Sequence, residues 1–168
     1  MPFELDDGAR VVIRPIEPGD KDRLVAGLQQ LSEASIRKRF LAAKPRFSRS
    51  ELRYLTEVDG VNHLALVAVL EDDPDQLVAV ARCVRLPDRP GTAEMAIVVG
   101  DPWQGQGLGR ELARRLADTA LAVGIRRFAA TMLGDNEAAR RLMRTFSRRL
   151  EEGRVSGGVR EVLVELAA

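Results

Sequence analysis

An α+β fold in a single domain is predicted by three features of the 168-residue sequence. Short runs rich in β-branched and aliphatic residues cluster between residues 62 and 99, separated by polar turns. Helical pieces precede them, and a glycine-rich loop joins the last run to a long amphipathic helix. Helices, then an antiparallel meander, then helix–strand–helix is not the strict alternation of a doubly wound sheet. The length is one domain's worth, so residues 1–168 are read as one unit.

In chain order, residues 10–16 (RVVIRPI) read as a strand that ends at Pro15. Pro18-Gly19-Asp20 breaks it, and Asp20 is the expected cap of a helix through Leu24, Val25, Leu28 and Leu31. A second helical piece follows Ser32, from Glu33 to Leu41, with Ile36, Phe40 and Leu41 as its apolar positions. Pro45 interrupts, and Ser50 is expected to open a third over Leu52, Leu55 and Val58. Residues 62–71, 76–86 and 92–99 read as the three meander strands, with turns at 72–75 and 87–91. Residues 107–124 place Leu108, Leu112, Leu116 and Leu121 on one helical face and stop at Gly124. Residues 125–133 read as a strand. Asp135 or Asn136 then caps a helix carrying Ala139, Leu142, Met143, Phe146 and Leu150. Residues 154–166 close the chain, with Gly157-Gly158 as a hairpin turn.

Charge and composition remove several classes of function. Twenty-six basic residues against 25 acidic ones leave a net charge of +1, which argues against a nucleic-acid binder on bulk charge. One cysteine (Cys83) and one histidine (His63) exclude a disulfide scaffold and a Cys/His zinc cluster, and no metal is expected. The acidic start, residues 1–7, lacks the order of a secretory signal. The longest apolar run, residues 64–70, is strand-sized rather than membrane-sized. The expectation is a cytoplasmic domain without membrane or nucleic-acid partners. His63 has two readings, a strand-end group near a substrate cleft or a satisfied structural histidine. Cys83 reads as core. Trp103 either covers a ligand or anchors the loop around it.

The loop itself is Val99-Gly100-Asp101-Pro102-Trp103-Gln104-Gly105-Gln106-Gly107-Leu108-Gly109-Arg110. Glycines here let backbone N–H groups approach a phosphate, and the following helix N-terminus adds its orphan donors and positive dipole end. Neither nucleotide fingerprint fits. There is no Gly-Lys pair for a P-loop, and the third glycine falls one place early for a dinucleotide loop. The spacing that fits is [Gln/Arg]-x-x-Gly-x-[Gly/Ala], read from Gln104 to Gly109.

That spacing resembles the acetyl-CoA pyrophosphate loop of the GCN5-related N-acetyltransferase (GNAT) superfamily. The strand before it, the helix–strand–helix after it and the second helix opening at Asn136 resemble the same family. The resemblance implies a mixed central sheet of about six to seven strands flanked by helices, and acetyl-CoA as co-substrate. It implies direct transfer of the acetyl group to an amine in a ternary complex. Gln104, Gly105, Gln106, Gly107, Leu108, Gly109 and Arg110 would hold the pyrophosphate. Ile97, Val98 and Val99 would pair with the pantetheine amides, and Asn136 would contact the pantetheine arm.

Glu94 is the candidate general base. It is the lone charge in the strand that leads into the loop, where partial desolvation is expected to raise its pKa. The family often has a Glu there. The bland alternative is an exposed sheet residue or an arginine partner. The family's usual acid, a Tyr seven residues after the helix-opening Asn, is here Met143, which donates no proton. The usual Gly-Phe after this helix is also replaced, by Thr145-Phe146-Ser147.

Arg14-Pro15-Ile16, Leu31-Ser32, Arg39-Phe40, residues 55–59, residues 63–68 and Ala93-Glu94 resemble a narrower group. It is the acetyltransferase domain of bacterial protein-lysine acetyltransferases, which commonly act on acyl-CoA synthetases and use Glu without the Tyr. Many carry a regulatory domain for which these 168 residues leave no room. A protein lysine, on such a synthetase or another protein, is therefore the preferred acceptor. A small-molecule amine acceptor, or a non-catalytic acyl-CoA sensor, are the alternatives, and monomer and homodimer are both open. Arg140, Arg141, Arg144 and Arg148 form an expected basic helix stripe. It has three readings: a site for the 3′-phosphate of coenzyme A, a site for an acidic protein surface, or a solvated face.

Overall fold

The structure, a computed structural model, describes residues 2–41 and 46–167. Pro45, expected to interrupt the helices, lies outside them. Eight strands form one mixed sheet in the order β1-β2-β3-β4-β5-β6-β8-β7. β1 (Pro2–Glu4) and β2 (Arg10–Pro15) lie at one edge, and β3 (His63–Leu70), β4 (Leu77–Arg85) and β5 (Thr92–Val99) form the expected meander. β6 (Arg127–Leu133) joins β5 in parallel, and β8 (Val159–Leu166) and β7 (Ser147–Glu152) follow in antiparallel pairing.

Five helices cover the sheet: α1 (Lys21–Gln29), α2 (Glu33–Phe40), α3 (Arg49–Thr56), α4 (Leu108–Ala122) and α5 (Glu137–Thr145). α4 lays Leu108, Leu112 and Leu116, all fully buried, against one face beside Cys83, Met95 and Phe128. Each such leucine contributes about 1.5–3 kcal/mol of burial. The other face packs Ala65, Val67 and Val80 against Leu24 of α1 and Ile16. β3 is covered on both sides, which explains why seven of its eight residues are buried and its sequence runs apolar without alternation.

Several expectations need correction. Asp20 gives no side-chain cap to α1. Its carboxylate is buried and takes a two-pronged pair of 2.8 Å bonds from Arg14, a third contact from Arg23 at 3.2 Å and the Glu17 N–H at 2.8 Å. α3 is capped by Ser48, two residues before Ser50, through a reciprocal Ser48–Glu51 capping box. The last helix stops at Thr145 instead of reaching Leu150, and Ser147–Glu152 pairs with β8 as a strand. Phe146 and Leu150 are four apart, a spacing that keeps residues on one face in helix and strand alike. β1 is three residues long, too short for any periodicity to show. These two strands bring the count to eight.

Candidate active site

The site begins where the sheet opens. β5 and β6 pair only over Thr92↔Arg127, Ala93↔Phe128 and Glu94↔Ala129. Beyond that point β5 stays with β4 to Val99, and β6 stays with β8 to Leu133. The Gly100 N–H reaches Val78 O on β4, so strand alternation turns the backbone groups of Val99, Ile97 and Met95 toward the gap. Val98 faces β4 with its backbone, opposite Val80. A cleft of about 470 Å³ fills the gap, and Ile97, Val98, Val99, Gln104, Gly105, Gly107, Gly109, Arg110 and Asn136 are among the residues lining it.

The glycine loop closes one end of this cleft. Gly107 stands at the N-cap of α4 with φ +86°, a conformation that L side chains rarely adopt. The N–H groups of Leu108, Gly109 and Arg110 fall in the first helical turn and lack carbonyls behind them inside the helix. Leu108 turns its side chain into the core, and a Cβ at Gly109 would make only ordinary contact with Val99, 3.6 Å away.

Both glutamines brace the loop rather than reaching out of it. Gln104 Nε2 donates to Val99 O (2.8 Å) and Ser35 Oγ (3.1 Å). Gln106 Nε2 donates to Pro102 O, and its Oε1 accepts from the Asp7 N–H. The Trp103 indole packs on Gly100, where a Cβ would lie 2.8 Å from Cε3, so it anchors the loop while lining the cleft. Asp101 ties the loop to α2 by accepting from the Ser32 N–H and Ser35 Oγ. Burial alone would raise the Asp101 carboxyl, but these bonds hold it below its ordinary value. Ser35 and Asp101 escaped the sequence reading, because a serine on a helix and an aspartate in a turn carry no signal of meeting.

Glu94, one residue before the cleft-lining Met95, is exposed rather than partly desolvated as expected. Cross-strand register places His63, Val84 and Glu94 in one row, and Ala65, Arg82 and Ala96 in the next on the same face. Arg82 is buried; its Nη1 donates to Leu55 O (3.0 Å) and to His63 Nε2 (3.1 Å). A guanidinium only donates, so His63 Nε2 is unprotonated and the ring proton sits on Nδ1. Burial, then the Arg82 charge, lowers His63 to about 4. His63 is thus a structural partner, a neutral imidazole under the Tyr54 ring at 4.9 Å. Arg39 of α2 lines the cleft, and Glu94 is the charge that favours its protonation against burial. Arg82 interrupts the apolar run of β4, which carries a second charge only at its last residue, Arg85.

Met143 is buried and lines the cleft where the usual tyrosine was expected. The sole tyrosine, Tyr54, lies on α3 and does not line it. Asn136 Oδ1 caps α5 by accepting from the Ala139 N–H (3.2 Å). The basic stripe is mostly paired. Arg140 meets Glu137 and Glu152, Arg144 meets Glu152, and Arg148 lies on β7 rather than on the helix. Only Arg141 of the four lines the cleft. The Cys83 thiol is buried in the α4-side core and pushed up to about 12 by that burial. Among the described residues no group of three or more His, Cys, Asp or Glu is placed to hold a metal ion. No helix there is long and apolar enough to cross a membrane.

Residues 30–147 match the acetyltransferase (GNAT) family. The chain belongs to that family. This GNAT domain is 36% identical over 143 residues to acetyltransferase Pat of Mycolicibacterium smegmatis, a match covering 85% of this chain and 42% of that protein. It is 33% identical over 141 residues to acetyltransferase PA5475 of Pseudomonas aeruginosa, covering 83% of this chain and 73% of that one. The crystal structure of the GNAT domain of S. lividans PAT superimposes with a TM-score of 0.86 at 30% identity, over 99% of this chain and 96% of that one. The chain thus spans less than half the length of the Mycolicibacterium relative.

Proposed function

We propose that this GNAT domain transfers the acetyl group of acetyl-CoA directly to an amine, preferably a protein lysine, with Glu94 as general base. The observation that carries the reading is the parting of β5 and β6 beside the α4 N-terminus, with Glu94 at the point where they part. The cradle fits an acyl-CoA. Gly107 and Gly109 keep the loop free of side chains, and the first-turn N–H groups suit a pyrophosphate. Lys38, Arg110 and Arg141 on the cleft wall supply positive charge for phosphates. The backbone groups of Met95 and Ile97 and the Val99 N–H face the gap and suit the pantetheine amides, as an added strand would use them, while Val99 O is held by Gln104. Asn136 has its side-chain NH₂ left to meet the same arm while its oxygen caps α5. When bound, acetyl-CoA supplies the activated thioester carbonyl.

Glu94 then has one task, to accept the proton that an ammonium must lose before its nitrogen can attack. Its exposure suits removal through an intervening water as well as directly. No tyrosine lines the cleft, so solvent protonates the leaving thiolate, whose ordinary pKa is only moderately above neutral. A protein lysine is preferred on the likeness to proteins named Pat, and an acyl-CoA synthetase is the leading kind of protein acceptor.

Thiol release from acetyl-CoA, measured for wild type and Glu94→Gln over a panel of protein, peptide and small-amine acceptors, tests the reading. Glu94→Gln is expected to lose about 100-fold or more in kcat. Equal turnover in both proteins overturns the base assignment. Absence of turnover in both favours a cofactor-binding sensor, the reading that Met143 in place of the tyrosine supports.

A further inference from the structure

The sheet face that carries Glu94, next to the cleft, holds more positive charge than the transfer chemistry uses. Arg82 and Glu94 project from the same face of the sheet in adjacent rows, and Arg39 reaches the cleft from α2 beside Ala96, the cross-strand partner of Arg82. Among the described residues, neither arginine has a carboxylate within ion-pair distance, and Glu94 makes no ion pair either. His63 is neutral and acts only as an acceptor for Arg82, and its ring packs against that of Tyr54. Arg39 on the cleft wall and the buried Arg82 on the Glu94 face are thus accompanied by a single exposed carboxylate, Glu94.

The placement of Arg82 is built rather than incidental. Leu55 O and His63 Nε2 both bind Nη1, which fixes the plane of the fork and leaves Nη2 and Nε without a partner among the described residues. The charges repel one another. Burial and the nearby Arg39 lower Arg82 to about 10, a cost the fold bears at a position where an aliphatic residue would pack. A fixed, partly desolvated guanidinium next to a second one is the arrangement that binds a carboxylate in two-pronged fashion.

We propose that Arg39 and Arg82 form a carboxylate-recognition site beside Glu94, which selects acceptors bearing a carboxylate next to the reactive amine. The inference rests on the transferase reading above and names a feature of its substrate. The carboxylate has two possible sources, an acidic residue flanking an acceptor lysine or the α-carboxylate of a free amino acid. In both, the anion docks on the arginines and offsets their mutual repulsion, leaving the amine facing Glu94 and the thioester.

The test compares two peptides, acetyl-Gly-Glu-Lys-Gly-amide and acetyl-Gly-Gln-Lys-Gly-amide, and in a second arm lysine and lysine amide. KM and kcat come from thiol release, and affinity comes from calorimetry on the coenzyme A-loaded protein. For wild type, the carboxylate-bearing member of at least one pair is expected to have a KM and Kd about fivefold or more lower. Preference within the peptides identifies a flanking acidic residue, and preference for free lysine identifies the α-carboxylate. Arg39→Gln removes the preference, Arg39→Glu reverses it, and Arg82→Lys, which keeps charge but loses the fork, weakens it. Equal constants within both pairs for wild type overturn the proposal, as does a preference that survives Arg39→Gln unchanged. If no acceptor turns over, the transferase reading fails separately. The calorimetric comparison still decides the anion site, and absence of carboxylate-dependent binding there overturns it.

Discussion

Asp20 and Glu94 show how the same chemical group, a carboxylate, takes opposite roles through its surroundings. Asp20 has a fully buried side chain, yet hydrogen bonds from Arg14 and the Glu17 N–H outweigh the burial and hold its carboxyl below the usual range. Asp20→Asn leaves Arg14 without its carboxylate partner and replaces two charge-assisted bonds with weaker ones. The expected loss is about 3 kcal/mol of unfolding free energy in denaturant titration at neutral pH. A loss below about 0.5 kcal/mol means the pair behaves like a surface ion pair. Glu94 is the reverse case, exposed and without an ion pair. Charges inside apolar strands, Glu94 in β5 and Arg82 in β4, stand in the sequence as breaks in pattern. Their direction is not written there, because it depends on cross-strand register and on which helix covers each face.

At the scale of elements, the strand–loop–helix unit from β5 to α4 was the most legible part of the chain. Its strand bounds match the expected residues 92–99, and its helix begins directly after Gly107, where the glycine spacing placed it. The reason is local. A left-handed N-cap, a close indole–glycine contact and a long leucine stripe each leave a mark within a few residues. Gly107→Asp adds a side chain at a positive φ and a negative charge beside orphan N–H groups. Acetyl-CoA affinity is expected to fall about tenfold or more in calorimetry, with the far-ultraviolet circular dichroism unchanged. Unaltered affinity removes the loop from the cofactor site. The C-terminal elements were read less well. A spacing of four between Phe146 and Leu150 serves helix and strand equally, and only pairing with β8 decides for the strand. The cap of α3 falls two residues before Ser50, and Asp20, though at the N-cap position of α1, is drawn into a buried ion pair instead of capping with its side chain.

For the whole molecule, the buried His63 couples folding to pH. The unfolded chain protonates this ring near 6.5, whereas the folded protein resists until about 4. Protons therefore favour unfolding between these values. The contribution is complete above about pH 6.5 and is lost as pH falls toward 4, by up to about 3 kcal/mol. Urea titrations at roughly pH 7.5 and pH 4.5 are expected to show a smaller drop for His63→Gln than for wild type, since carboxylates shared by both cancel. An equal drop rejects the neutral, Arg82-bound imidazole.

The sequence by itself determined the α+β class, the meander, the phosphate-suited loop and the carboxylate in the strand before it, because each is written in spacing over a few residues. Only the tertiary structure decided that β5 and β6 part after Glu94 and that Asp101 and Ser35 tie the loop to α2. It also decided that Arg82 shares a sheet face with Glu94 while Arg39 comes to the cleft from α2. Those features are products of long-range pairing and packing, in which groups distant along the chain meet because the sheet order brings them together.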